Sequence, residues 1–285
     1  MRRFIINTLL FPIGLIISYG LYYFCYNAYL NSSFNNKDAV FIWGDSQAYQ
    51  GLDLHILSTK LEKKVYTSAH HGAGVYDFLV FTEQVPKNSE VIVSISKLVQ
   101  VRRKENDFNR SGLSIWALRK LYDNAYTIKE IESILKRNKR PSSNISESTE
   151  LYAYSDSMQI GVPLSRFESY YQEIPPFLDE KQNLYLIGIK NLIKKNSKIS
   201  FIEFPYHKEL ERIENLSPIK KKTDYFIDQI GELFDEYEVD SIKLNIDKNI
   251  FTDLSHLNSL GAKDLSKKLG ENILKHERTT LYIAH

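Results

Sequence analysis

The feature that most limits the fold of this chain is its N-terminal segment, which carries no charged side chain from Phe4 to Leu30. A helix of roughly 20 apolar residues is long enough to cross the hydrocarbon core of a bilayer. The apolar part of a cleaved signal peptide is usually shorter, about 7–15 residues, and is followed by a small-residue cleavage site. This run instead ends in YNAYL. The segment therefore predicts a retained transmembrane anchor over residues 4–30.

The residues that flank this anchor predict its orientation. Arg2 and Arg3 precede it, and basic residues concentrate on the cytoplasmic side of membrane spans. Tyrosines crowd its C-terminal half, as is typical of rings at a membrane interface. They are Tyr19, Tyr22, Tyr23, Tyr26 and Tyr29. We expect a single-pass membrane protein whose remaining chain is extracytoplasmic. The alternative is a buried core helix, although uncharged runs of this length are uncommon in soluble domains.

Charge and cysteine content narrow the functional classes. The 285 residues include 37 Lys plus Arg and 35 Asp plus Glu, so the formal charge of +2 gives no general attraction for nucleic acid. The single cysteine, Cys25, can form neither a disulfide nor a paired-cysteine zinc site within one chain. We expect no nucleic-acid partner, no cofactor and no metal.

After a polar linker at residues 31–38, short apolar runs alternate with helical patterns. This alternation predicts an α/β fold, a three-layer α/β/α sandwich with a mostly parallel central sheet. Apolar residues at helical spacing precede the fourth and fifth runs. The runs that fit strands are residues 39–43, 65–66, 91–95, 199–204 and 242–246.

Residues 102–179 do not follow this alternation. They are rich in Tyr, Arg and Lys and contain Pro141, Pro175 and Pro176, so we interpret them as an insertion. Long inserted segments are either functional or mobile, which leaves open both a solvated helical decoration and a substrate-shaping cap. The domain then covers residues 39–276, and residues 277–285 are assigned to a tail.

A serine and an Asp-His pair are the candidates for chemistry. Ser46 closes the sequence Gly44-Asp45-Ser46 directly after the first predicted strand, where open α/β sheets have their ligand crevice. A serine is a weak nucleophile that needs a base, and the base needs a group that fixes its tautomer. Asp253 and His256 are separated by two residues before the last helical pattern, so a single turn lets the carboxylate hold the imidazole. We predict a catalytic triad of these three residues.

With these residues the chain resembles the SGNH, or GDSL-like, hydrolase superfamily. Gly44-Asp45-Ser46 is similar to the first sequence block of that family and Asp253-Leu254-Ser255-His256 to its last block. The resemblance implies a flavodoxin-like SGNH fold. It also implies that the backbone N–H groups of Ser46 and of a glycine after the second strand bind the oxyanion. Gly72 resembles that glycine, and Gly74 is the reserve candidate. The neighbouring His70 and His71 point apart on extended backbone and do not predict a metal site, although one could line the cleft.

The third oxyanion donor of the family, an asparagine after the third strand, is missing from its expected place. Ser96 and Lys97 follow that strand instead, and Asn106 is too far along the chain. The loss of one oxyanion donor can cost on the order of 10²–10³ in rate. Ser96, Lys97 or a residue of the insertion could substitute; otherwise the protein is slow or inactive as a hydrolase.

The resemblance implies a serine-dependent esterase or O-acyltransferase that acts on acyl groups of a cell-envelope glycan, with acetyl as the expected acyl group. The layout is similar to membrane-tethered relatives in polysaccharide O-acetyl transfer and teichoic acid D-alanylation, which suggests a membrane acyltransferase as a partner. Two alternatives stay open: a lipid or thioester hydrolase, and a non-catalytic SGNH-fold assembly or glycan-binding partner.

Overall fold

The computed structural model describes residues 13–14, 17–22, 39–97, 100, 146–147, 164–244, 250–276 and 278–285. The chain divides into two compact units, Met1–Lys37 and Asp38–His285. In the first unit residues 13–14 and 17–22 are helical. Within these described ranges no helix combines the length and the apolar character needed to span a bilayer. Most of the predicted anchor at 4–30 and all of the predicted linker at 31–38 lie outside the described residues.

The second unit is built on a sheet of six parallel strands with a short antiparallel strand at one edge. The α/β prediction with a mostly parallel sheet is therefore confirmed. The strands are β1 (Ala39–Trp43), β2 (Lys64–Thr67), β3 (Glu90–Ser94), β4 (Ser146–Glu147), β5 (Lys198–Glu203), β6 (Tyr237–Ile242) and β7 (Thr279–Ala284). Their order across the sheet is β4-β2-β1-β3-β5-β7-β6, and of these described strands only β4 runs antiparallel to its neighbour.

Helices cover both faces of this sheet. They are α1 (Ser46–Gly51), α2 (Leu54–Leu61), α3 (Val75–Gln84), α4 (Leu164–Tyr171), α5 (Leu178–Lys194), α6 (Lys208–Leu216), α7 (Lys220–Gly231) and α8 (Ser259–Lys275). Helices α1, α2 and α8 pack in one apolar cluster with strand residues such as Val40 and Ile42. On the other face Trp43 contacts Phe78 of α3 and Tyr185 of α5. Because successive strand residues point to opposite faces, the fully apolar sequence of β1 is explained by burial on both sides.

The C-terminal end of the chain corrects two predictions. Residues 277–285 were assigned to a tail, but β7 occupies an interior position between β5 and β6, with Leu281 and Tyr282 buried. Among the described residues, the last strand before the Asp-His pair is β6 at 237–242; it shares only Ile242 with the predicted run at 242–246, of which residues 245 and 246 lie outside the described part. Strand β6 is an edge strand in which only Ile242 is fully buried, so it lacks the continuous apolar run by which a buried strand is identified.

The described part of the predicted insertion includes β4 and α4. Strand β4 extends the sheet beyond β2 through the pairs Tyr66–Glu147 and Thr67–Ser146. Helix α4 contributes Phe167 and Tyr171 to a small apolar cluster that also contains Leu254. The C-terminal end of the insertion is thus packed against the turn that carries the Asp-His pair.

Candidate active site

Ser46 is placed by a turn in which Gly44 and Asp45 have separate structural roles. A Cβ atom on Gly44 would lie 2.3 Å from Cβ of Ala48 and 2.8 Å from Cβ of Ser94, so only glycine fits between α1 and β3. Asp45 is buried and caps α1, since its Oδ1 accepts a hydrogen bond from the backbone N–H of Gln47 at 3.0 Å. Ser46 is therefore the first residue of α1, at the carboxyl end of β1.

This position is also the switch point of the sheet. Strand β1 pairs with β2 on one side and with β3 on the other, so the connections that leave β1 and β2 run in opposite directions. Ligands of open α/β sheets bind in the crevice at such a point, outside the carboxyl ends of the strands. Ser46 itself is 7% exposed, and the partly exposed Asp253 and His256 lie beside it.

The structure brings Ser46, Asp253 and His256 together in a continuous chain of hydrogen bonds. His256 Nε2 lies 2.8 Å from Ser46 Oγ. His256 Nδ1 lies 2.9 Å and 2.8 Å from the two carboxylate oxygens of Asp253. An ionised carboxylate only accepts, so Nδ1 carries the proton and Nε2 is left to accept the proton of Ser46. This is the tautomer that a general base needs.

Asp253 is held as an anion by its own turn. Its Oδ1 accepts hydrogen bonds from the backbone N–H groups of Ser255 at 2.7 Å and His256 at 2.9 Å, and from Ser255 Oγ at 3.1 Å. Burial opposes ionisation, but the hydrogen bond and electrostatic attraction of His256, together with the bonds from Ser255, outweigh it and lower the pKa of Asp253 below its usual value. The carboxylate is therefore ionised at neutral pH.

Contacts with the rest of the domain fix the position of this turn. The backbone bonds Thr252 N–H to His256 O and Asn258 N–H to Ile250 O, both 2.8 Å, close it into a loop. The side chain of Gln47 donates from Nε2 to the carbonyl oxygen of Ser255 at 3.0 Å, which joins the serine helix to the histidine turn. Sequence reasoning missed Gln47, because its partner is 208 residues away and no local pattern indicates the contact.

The two candidate glycines for the oxyanion site differ in what their N–H groups do. Gly72 lies in the loop after β2 with φ of 74°, a conformation that favours glycine, and it is partly exposed. This loop is tied to the serine turn, since His70 N–H donates to Gly44 O at 3.2 Å. Gly74 is buried, and its N–H donates to Asp77 Oδ2 at 2.9 Å to cap α3. Gly72 is the better candidate, and its oxyanion role stays a prediction.

The residues in the place of the expected asparagine are committed to internal partners. Ser96 is buried and donates its hydroxyl to Asp45 Oδ2 at 2.9 Å. Lys97 Nζ lies 2.6 Å from a carboxylate oxygen of Glu203 and 2.6 Å from one of Glu214. Asn106 lies outside the described residues. The described geometry offers no side-chain replacement for the asparagine from Ser96 or Lys97.

Lys97 belongs to a mostly buried charge cluster, in which the side chains of Lys97, Glu203 and Glu214 are 12%, 15% and 4% exposed. Burial alone would lower the pKa of Lys97, but the two carboxylates raise it above its usual value and keep the side chain cationic. Burial raises the pKa of Glu214, although Lys97 opposes this shift. Burial also raises the pKa of Tyr171 and Tyr206, the negative charge of Glu214 adds to both shifts, and both side chains are therefore neutral.

The adjacent histidines have different surroundings, although His71 lies in a turn, closed by the hydrogen bond from Ala73 N–H to His70 O at 3.2 Å, and not on the extended backbone that was expected. His70 is buried, with Nδ1 3.1 Å from Ser68 O and Nε2 3.7 Å from Asp77 Oδ2. His71 is partly exposed and contacts Tyr49 and Gln50 of α1. Of the two, His71 is the one that lies beside the serine helix.

No protein-family model matches this chain, and no curated protein matches it.

Proposed function

We propose that this protein is a serine-dependent esterase or O-acyltransferase of the SGNH type, which acts on acyl groups of a cell-envelope glycan, with acetyl as the expected acyl group. The observation that carries the proposal is the contact of 2.8 Å between Ser46 Oγ and a histidine whose other nitrogen is held by Asp253. A flavodoxin-like SGNH fold is part of the proposal. It is supported by the strand order β2-β1-β3-β5 and by the serine that follows the first strand.

The mechanism follows from the direction of these hydrogen bonds. His256 Nε2 takes the proton of Ser46 as Oγ attacks the acyl carbonyl, and Asp253 stabilises the imidazolium that forms. The negative oxygen is bound by the backbone N–H groups of Ser46 and Gly72. Ser46 is the first residue of α1, and the N–H of such a residue has no acceptor within its own helix. The imidazolium then protonates the departing alkoxide, and the acyl-enzyme passes its acyl group to water or to a sugar hydroxyl.

The missing asparagine sets the expected rate. With two backbone donors in place of three groups, turnover should be slower by on the order of 10²–10³ than in a site with all donors present. A substrate of high reactivity, such as an activated acetyl ester, is the appropriate first probe.

A membrane anchor is part of the same proposal. It is supported by the uncharged run at 4–30 and by the exposed apolar side chains of Ile13, Ile17 and Leu21, which are 50%, 57% and 59% exposed in helical segments. Alkaline phosphatase fused after His285 should be active, because the positive-inside rule places the domain outside the cytoplasm. A fusion that is inactive, while green fluorescent protein at the same position is fluorescent, would contradict the orientation and the envelope substrate.

The direct test of the enzymatic proposal is hydrolysis of an activated acetyl ester by the full chain in detergent. Ser46→Ala should abolish turnover above background, whereas Ser241→Ala, at an exposed serine of the edge strand β6, should retain it. Equal activity of the two variants would contradict the proposal.

The second candidate function is a non-catalytic glycan-binding or assembly partner. It is favoured by one observation, the commitment of Ser96 and Lys97 to internal partners. In that case Ser46→Ala would remain folded and would still support envelope modification in cells.

A further inference from the structure

The short helix α1 presents a single side chain to the surface beside Ser46. Of its six residues, Ser46, Gln47, Ala48, Gln50 and Gly51 are buried, and Tyr49 is partly exposed. Residues three and four apart lie on the same face of a helix. Tyr49 and Gln50 therefore lie on the face of α1 that carries Ser46.

The loop after β2 brings His71 to these two side chains. The rings of Tyr49 and His71 meet edge to face with centroids 4.8 Å apart and an interplanar angle of 66°. Gln50 Nε2 lies 3.4 Å from His71 Nε2. His71 directly precedes Gly72, so the group formed by Tyr49, Gln50 and His71 continues into the predicted oxyanion loop.

The chemistry of this group suits a sugar. An aromatic ring can stack against the apolar C–H face of a pyranose and an imidazole can bind its hydroxyl groups, while the buried amide of Gln50 positions that imidazole. Tyr49 and Gln50 are uncharged and His71 is charged only when protonated, so the group lacks the fixed cations with which proteins bind carboxylate or phosphate. A lipid chain would require a largely apolar lining, which Gln50 and His71 do not provide.

We propose that Tyr49, Gln50 and His71 form the acceptor subsite, which binds a neutral sugar ring with one hydroxyl directed at the acyl-enzyme on Ser46. This proposal rests on the proposed function. In the transfer step His256 Nε2 takes the proton of the sugar hydroxyl as its oxygen bonds to the acyl carbonyl carbon. The bond from that carbon to Ser46 Oγ then breaks, and Oγ recovers the proton from His256.

The test measures sugar binding separately from turnover. The parent is full-length Ser46→Ala, which cannot form an acyl-enzyme, applied in detergent to an array of neutral and anionic oligosaccharides. We expect retention on neutral oligosaccharides. On the best of these, Tyr49→Ala in the parent should weaken binding by about tenfold, or about 1.4 kcal/mol, while Tyr49→Phe, which keeps the ring, stays within about threefold. Tyr225→Ala, at an exposed tyrosine of α7, serves as the control and should bind as the parent does.

Tyr49 also packs against the buried core, so the melting temperature of each variant must be compared with that of the parent. His71→Ala gives a second variant, since it removes the ring contact and the partner of Gln50 without emptying the core. We expect it to weaken binding by several-fold.

The proposal is overturned if the parent retains no neutral oligosaccharide, or if folded Tyr49→Ala and His71→Ala both bind as tightly as the parent. Reactivity of Ser46 in the native chain is measured independently. A reactive serine with binding that does not depend on Tyr49 would overturn the subsite alone. An inert serine with binding that depends on Tyr49 would overturn the enzymatic proposal and, with it, the acceptor role, and would leave only a sugar-binding site.

Discussion

Two loops meet around Ser46, the turn at 250–258 and the residues that follow β3, and their polar side chains have different kinds of partner. In the turn, Asp253 is held by backbone N–H groups and His256 projects toward the serine hydroxyl. After β3, Ser96 and Lys97 point inward, to Asp45 and to the pair Glu203 and Glu214. The first loop is organised for proton transfer and the second for holding the domain together.

The difference separates two tasks that a serine hydrolase combines. Activation of the nucleophile needs a base with the correct tautomer, and the turn supplies it. Stabilisation of the oxyanion needs donors directed at the developing charge, and the loop after β3 contributes its side chains to other partners. The substitutions below should therefore change activity in the first loop and folding stability in the second.

The largest effect is expected from the serine and the histidine. Ser46→Ala and His256→Ala should each reduce kcat for an activated acetyl ester by at least about 10³-fold, because members of a triad act as one unit. For the same reason the double variant should be little worse than either single variant. Steady-state kinetics on the three purified variants measures this; losses that multiply would show that the residues act independently.

The second-largest effect is expected from Asp253→Asn, which should lower kcat by about 10²–10⁴-fold. The amide preserves the shape of the carboxylate but allows the wrong histidine tautomer. Circular dichroism must accompany the kinetics, because the substitution weakens the bonds that Asp253 accepts from Ser255 and His256 and can cost about 1–3 kcal/mol of stability. Full activity of a folded Asp253→Asn variant would remove Asp253 from the mechanism.

Lys97→Met should act on stability. Removal of one partner from a buried ion pair leaves uncompensated charge and costs about 3–5 kcal/mol in the free energy of unfolding. The double variant Lys97→Met/Glu214→Gln should recover part of this loss, because it removes one of the two carboxylates. Urea denaturation provides the measurement, with Lys263→Met at an exposed lysine of α8 as the control. A loss no larger than that of the control would mean that the cluster does not stabilise the domain.

The smallest effects are expected in the pH dependence of stability, with opposite signs in the two regions. The lowered pKa of Asp253 means that its ionised form stabilises the fold above the ordinary aspartate pKa of about 3.9, and that this contribution is lost as pH falls through the folded pKa. The raised pKa of Glu214 means that its protonated form stabilises the fold below the ordinary glutamate pKa of about 4.3. This stabilisation is lost as pH rises through the folded pKa.

These signs can be measured by comparing native and variant unfolding between about pH 3 and 7. The stability advantage of the native chain over Asp253→Asn should grow with rising pH, and its advantage over Glu214→Gln should shrink. If the stability difference between native chain and variant changed with pH in the same direction for both variants, the contrast between the two regions would be contradicted.

Local patterns predicted the parts of the site that depend on neighbours in sequence. Gly44-Asp45-Ser46 after an apolar strand and the spacing of Asp253 and His256 are short-range features, and the structure brings these residues together. The sequence could not reveal Gln47 or the partners of Lys97, since those contacts join residues from distant parts of the chain. It also missed β6 and β7. Strand β6 lies at the edge of the sheet and lacks a continuous apolar run, and the place of β7 in the sheet depends on its pairing with β5 and β6.

The most direct test of the central claim is the reaction of the full-length protein with a fluorophosphonate probe, which labels a serine only when a base activates it. We predict that Ser46 is labelled in the native chain, that His256→Ala slows labelling by at least about 10²-fold, and that Ser46→Ala abolishes it. Lys97→Met, if folded, should still be labelled. A native chain that is folded and remains unlabelled at Ser46, or is labelled equally with and without His256, would contradict the account.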